Sequence, residues 1–362
     1  MSRTSRIIVA SGAAAALLLL AVFSALDRAE TARSERVDWR AVSSLSASRG
    51  YAAAAAYLDS RLAAHPNDAL LHYYRARLCF EAGLGPEALA AADKAIALGY
   101  AQEISHLLKA LVYGRLYGDR SKQFDLASKA LAYDPTYDDG YLVRAEAGYE
   151  LRKYGPCASD AAAYTSLRPG ETDGLELSLL CLEAQGDSAG AERAGLKILK
   201  LKPDSHSALW RLGRLYAGRG LHRLAVKNFG EAIRLSGGRP RYYLDRAASC
   251  AELGDHSCAA WDYASATDWP EISGYSSYYY LLGSAMYRAG ELEHALGAAG
   301  TALEKAPADA GNYELRGRLR AETGDLAGAR RDFLAALALA PAREPELRPL
   351  LAGAGGPAQD GQ

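Results

Sequence analysis

The stretch ALWRLGRLYAGRGLHRLAVKNFGEAI, residues 208–233, decides the fold. Leu209, Leu212, Gly213 and Tyr216 recur at helical spacing, and so do Ala225, Phe229, Ala232 and Ile233. Each segment therefore carries one apolar stripe, as an amphipathic helix does. Gly220 stands between them, where a sharp reversal of the chain needs a residue without a side chain. The stretch reads as a helical hairpin.

The pattern recurs. Comparable glycines stand at Gly83, Gly118, Gly186, Gly254, Gly290 and Gly324, and Arg152 fills the slot between Gly118 and Gly186. Most steps are 34 residues; one is 35 and one is 36. Small residues recur in the first helix at Ala76, Ala145, Gly213, Ala247, Gly283 and Gly317. They recur early in the second at Ala88, Ala191, Ala225, Ala259, Ala295 and Ala329, and at the position seven later at Ala95, Ala130, Ala232, Ala266, Ala302 and Ala336. Small side chains at these places let partner helices approach closely. Proline closes the unit at Pro66, Pro135, Pro169, Pro203, Pro307 and Pro341, where it blocks further helix.

A two-helix period of about 34 residues is the mark of a tetratricopeptide solenoid. On these residues the chain resembles the tetratricopeptide repeat family over roughly residues 35–343. The resemblance implies an all-α, right-handed α-solenoid of about nine helix-turn-helix repeats. Its units run near 35–68, 69–102, 104–137, 138–171, 172–205, 206–239, 240–273, 276–309 and 310–343. The first unit is degenerate, as expected of a terminal repeat with one neighbour. In the third, Gln123 takes the usual small position. Residues 344–362 read as a short cap followed by a disordered tail.

The two ends carry a different signal. Residues 1–6 are a basic flank with Arg3 and Arg6, and Ile7 to Leu26 is 20 residues without a charge. At about 1.5 Å per residue that length just spans a bilayer. Residues 7–26 read as a transmembrane signal-anchor, or as a signal peptide cut after Ser24, followed by a charged tether at 27–34. The purely basic N-terminal flank places the N-terminus in the cytoplasm and the repeats outside it, in the periplasm or another extracytoplasmic space. Cleavage would instead give a secreted protein.

Of 362 residues, 42 are Lys or Arg and 43 Asp or Glu, a formal net charge of -1, so no basic footprint for nucleic acid is present. There is no HExxH, GxSxG, GxxxxGK[ST] or CxxC, so no metal, cofactor or enzymatic activity is expected. The five cysteines are Cys79, Cys157, Cys181, Cys250 and Cys258. Cys250 and Cys258 fall on facing helices of one hairpin, and Cys157 and Cys181 on helices of adjacent repeats. Either pair could bridge outside the cytoplasm, or all five could be small core fillers.

In the resembled family, the first helix of each repeat lines a concave groove. Carried over position by position, the groove takes in Tyr73, Arg77, Phe80, Tyr149, Trp210, Arg214, Tyr280, Tyr287, Arg288 and Arg318, with Arg115, Glu146 and Glu314 beside them. Aromatic and Arg side chains concentrate binding energy, although the same residues could simply close gaps between helices. The Lys and Asn pair of carboxylate-clamping members is missing, so chaperone-tail binding is not expected. Tyr275, Tyr278, Tyr279 and Tyr280 cluster beside a small insertion; Tyr279 falls on a core position, and Tyr275 and Tyr280 on exposed ones. Three functions remain open. One is a membrane-anchored exported scaffold holding a peptide or helix of another cell-envelope protein. Another is a glycan-handling accessory in polysaccharide export or wall assembly. The third is an enzyme, for which no catalytic constellation is visible. A homo-oligomer is a further arrangement the sequence allows.

Overall fold

A computed structural model of the chain describes residues 39–354. Those residues form 20 α-helices and one 3-10 turn, with no strand among them. In chain order, α1 is Trp39–Arg49, α2 Tyr51–Ala64, α3 Ala69–Glu81, α4 Gly85–Ala97, α5 Gln102–Leu116, α6 Arg120–Tyr133, α7 Asp138–Glu150, α8 Tyr154–Leu167, α9 Asp173–Gln185 and α10 Ser188–Leu201. Then come α11 His206–Gly218, α12 His222–Ser236, α13 Pro240–Glu252, α14 His256–Thr267, the short α15 Pro270–Ser273, α16 Ser276–Arg288, α17 Leu292–Lys305, α18 Ala310–Glu322, α19 Leu326–Leu339 and α20 Glu344–Gly353. The expected membrane segment at 7–26, its flanks at 1–6 and 27–34, and the tail beyond Ala354 lie outside the described residues. Among the described residues, no helix is long and apolar enough to cross a membrane.

The chain divides between Ala194 and Gly195, inside α10, into two compact units. Within each unit, α10 aside, the helices pack as successive antiparallel hairpins, each helix against its neighbours in sequence, as a helical repeat does. In the first unit a continuous buried cluster runs from Trp39 and Val42 through Tyr73, Leu107 and Val143 to Cys181. In the second, Phe229 and Phe333 are buried inside their own hairpins, and Tyr263 and Leu315 pack against the neighbouring ones. The last hairpin is covered by α20, whose Leu347 is fully buried against Phe333 and Ala336.

The turn chemistry explains why the hairpins form where they do. The backbone has positive φ at Gly83, Gly118, Gly186, Gly220, Gly254, Gly290 and Gly324, and at Arg152, the one non-glycine residue with this conformation among the described residues. Arg152 at φ 60° takes a left-handed turn against the preference of an L side chain. Four of the glycines are followed by aspartate, and that aspartate caps the next helix. Asp119 accepts from the Lys122 N–H at 3.0 Å, Asp187 from Gly190 at 2.8 Å, Asp255 from Cys258 at 3.0 Å and Asp325 from Gly328 at 2.8 Å. One Gly-Asp dipeptide thus ends one helix and starts its partner.

Close approach has equally specific causes. A Cβ on Gly213 would lie 2.6 Å from the Phe229 ring, and one on Gly317 would lie 2.6 Å from Phe333. Each ring therefore occupies the space that a first-helix side chain would fill. The third hairpin reverses the arrangement. Gln123 is buried, and its side chain lies 2.2 Å from where a Cβ on Gly114 would stand. Gly114 makes the room, and Arg120 donates to the Gln123 side-chain oxygen at 2.8 Å.

A second repeated device ties the two helices of a hairpin together. Arg144 grips Asp160, Arg246 grips Asp262 and Arg316 grips Asp332, each through two hydrogen bonds of 2.7–2.9 Å across a separation of 16 residues. All three aspartates are buried. A tyrosine stands three residues before each arginine, at Tyr141, Tyr243 and Tyr313. The fork-to-fork geometry satisfies both carboxylate oxygens at once.

Candidate functional site

The first helices α11 and α13 touch one another and carry a cluster centred on Trp210. The half-buried indole stacks on Tyr242, with ring centroids 5.4 Å apart, and its N–H donates to Asp245 at 2.6 Å. Guanidinium carbons of Arg241, Arg214 and Arg211 lie 5.0, 5.1 and 5.5 Å from the indole centroid. Cations this close to an indole face are attracted by its quadrupole. Burial pushes the Asp245 carboxyl above its ordinary pKa, while the Trp210 hydrogen bond and the charges of Arg214 and Arg241 pull it down. Arg214 and Arg241 are exposed.

The cluster adjoins a cleft. Tyr242 meets the His206 Nδ1 at 3.0 Å, and His206, with Lys202, Asp204, Ser205, Ser207 and Leu235, lines a cavity of ≈ 300 Å³ at the start of α11. Burial, followed by the charges of Arg239 and Lys202, lowers the His206 pKa and favours its neutral form. Aromatic surface, hydrogen-bonding side chains and excess positive charge thus converge in one part of the second unit. This arrangement offers an aromatic face for stacking and cationic side chains for salt bridges.

The other groove positions divide by environment. Tyr73, Arg77 and Phe80 are buried in the first unit. Tyr73 stacks on Tyr100 at 5.0 Å, and the Arg77 guanidinium lies 3.9 Å over the Trp39 ring while reaching Glu81 at 3.4 Å. Those three side chains are packed inside the first unit. Tyr149 is half-buried against Tyr154. Arg115 and Glu146 face each other electrostatically, with burial lowering the arginine pKa and raising that of the glutamate. In the second unit Tyr280 and Arg288 are exposed, and Tyr287 donates to Glu322 at 3.1 Å. Arg318 is engaged by the buried Glu314, which also binds Arg343. Within the second unit Trp210 and Arg214 are brought together. Tyr242, Arg241 and Asp245 complete the Trp210 site without having been assigned to it. The signal available was the aromatic-basic run Arg239–Tyr243 one repeat beyond Trp210.

Tyr275 and Tyr280 are exposed and Tyr279 packs on the core. The cysteines form two disulfides, Cys157–Cys181 joining α8 to α9 and Cys250–Cys258 joining α13 to α14, with Cα separations of 6.0 and 5.9 Å. Both separations fall within the range a disulfide spans. Cys79 is free and buried. The two sulfurs of the second bridge and Asp262 lie within 4.8 Å of one another, but Arg246 already holds that carboxylate.

No protein-family model and no curated protein matches the sequence. Solved structures do resemble it. A tetratricopeptide repeat protein from Parabacteroides merdae aligns over 70% of this chain and 99% of its own, at 16% identity and a TM-score of 0.48. YrrB, a TPR protein with an unusual peptide-binding site, aligns over 53% of this chain and 98% of its own at 16% identity and a TM-score of 0.49. MamA aligns over 46% and 96% at 23% identity and a TM-score of 0.42. The resemblance to the tetratricopeptide family rests on the chain's own hairpins: their period, their turns and their small-residue contacts.

Proposed function

We propose that the chain is a membrane-anchored, exported scaffold that holds a peptide or helix of another cell-envelope protein and mediates assembly of a complex. The observation that carries this reading is Trp210, half-buried in aromatic and cationic surface on the first helices of two successive hairpins. Stacked helices present such contacts already ordered, so little conformational freedom is lost on the scaffold side when a partner binds. The two disulfides support an oxidising compartment, and the uncharged run at residues 7–26 supports an anchor that holds the repeats there.

The test is in-cell crosslinking followed by affinity capture, comparing the native chain with a Trp210→Ala, Arg214→Ala variant. A protein partner captured by the native chain and lost from the variant is expected. Capture of no protein partner by either would overturn the scaffold reading and favour the glycan-handling one. Membrane attachment is tested separately: resistance to carbonate extraction with an intact N-terminus is expected, and an intact mass beginning at Ala25 would refute the anchor.

A further inference from the structure

We infer that the segment bound at the Trp210 site is acidic, carrying Asp or Glu side chains that pair with Arg214 and Arg241; this deepens, and rests on, the scaffold reading. Both arginines are exposed, and neither is ion-paired with a carboxylate among the described residues. They come from different helices, α11 and α13, yet their guanidinium carbons lie 5.1 and 5.0 Å from the same indole centroid. The indole holds them at one place on the surface without neutralising either. An arginine on a loose stem must be ordered before it can bind; one already resting on a ring has lost part of that freedom.

The local negative charge does not cancel them. Asp245 is the nearby carboxylate, and its hydrogen bond goes to the Trp210 N–H rather than to a guanidinium. Burial further disfavours its ionised form. Its role is to fix the indole plane, and through the indole the two arginines. Tyr242 stacks on the ring and is itself anchored on His206. Leaving Arg211 aside, the charged groups around the site and its cleft include Arg214 on α11, Arg239, Arg241 and Asp245 at α13, and Lys202 and Asp204 beside His206. Their sum is positive on a chain whose formal net charge is -1, so the excess is local. A basic partner would be repelled here. A neutral one would leave two guanidinium groups partly desolvated without partners, which is costly. A carboxylate-bearing segment with an apolar residue to lie against the indole fits both features.

The probe is a fluorescein-labelled peptide of alternating Glu and Leu, compared with the Gln–Leu and Lys–Leu versions, titrated into the full chain and read by anisotropy. The Glu–Leu peptide is expected to bind. Its affinity should fall at least about tenfold in Arg214→Gln, Arg241→Gln, whose exposed side chains can change without disturbing the core. It should fall similarly as sodium chloride is raised from about 0.05 to about 0.5 M. Equal binding of the Gln–Leu peptide, an unchanged affinity in the double variant, or equal competition by single-stranded DNA would each overturn the inference. The in-cell capture separates this failure from that of the scaffold reading. If a protein partner is still captured by Arg214→Gln, Arg241→Gln, or crosslinks to Trp210 through a segment without Asp or Glu, the acidic-segment inference falls while the scaffold stands.

Discussion

Asp139 is the place where a single proton should change the stability of the first unit. It lies near the start of α7, 1% exposed, and its Oδ2 has no hydrogen-bond partner; nor does the neighbouring Tyr137 hydroxyl. Burial is the largest cause of a pKa raised from 3.8 to about 7; Asp138 and Glu171 push the same way and Arg168 opposes them. A carboxyl whose folded pKa lies above its unfolded value stabilises the fold when protonated. That contribution is complete below about pH 4, falls as pH rises toward 7, and is gone above it. A shift of about three units at about 1.4 kcal/mol each sets the ionisation penalty at about 4 kcal/mol as an upper bound. An asparagine at this position keeps the shape and cannot ionise. Asp139→Asn should therefore match the native protein at pH 4 and exceed it increasingly up to pH 8. The assay is urea unfolding across that range by circular dichroism, with hydrogen exchange of the α7 amides locating the effect. The difference between the two proteins isolates this carboxyl, because every other titrating group is common to both. Parallel stability curves from pH 4 to 8 would refute the argument that Asp139 is desolvated.

Other perturbations follow from the packing. Arg152→Gly should stabilise the protein by about 1 kcal/mol, because the left-handed turn at this position opposes an L side chain; a loss on thermal unfolding would contradict this. Arg246→Met should destabilise by about 3–5 kcal/mol, since it leaves Asp262 buried and unpaired, whereas Arg246→Met with Asp262→Leu should recover much of the loss; a double-mutant cycle in urea reads the coupling. Gly317→Ala should cost about 1–3 kcal/mol by forcing the Phe333 ring aside. Alkylation without reductant should label Cys79 alone, and only after unfolding; two or more adducts in the unfolded protein would contradict the paired cysteines.

The hairpins were legible because their causes are local and repeated. The marker glycines report a backbone conformation, and the small residues report helix approach, so one residue type at one spacing carries each message. Arg152 was legible for the same reason: its place in the series required a turn whatever its side chain. The buried state of Tyr73, Arg77 and Phe80 was not. Repeat position assigns a helix face, but Trp39 on α1 and Tyr100 in the loop between α4 and α5 decide whether that face is open. The Arg–Asp grips escaped because they occupy only some hairpins, although Tyr-x-x-Arg with Asp 16 residues after the arginine was there to be read. The Trp210 cluster was half legible. Its own helix supplied Trp210 and Arg214, while Arg241, Tyr242 and Asp245 come from the next hairpin, which only packing brings alongside.

The Cys157–Cys181 bridge joins the second helix of one hairpin, α8, to the first helix of the next, α9, across a sequence separation of 24. In a stack where each helix rests on its neighbours, loss of order can travel inward from a frayed end one hairpin at a time. A covalent tie between successive hairpins keeps their helices near one another even when one hairpin loses order, so fraying that reaches this point gains less chain freedom than elsewhere in the first unit. A protease that nicks the backbone between Cys157 and Cys181 would leave both pieces attached, and the damage would become visible only when the bridge is reduced.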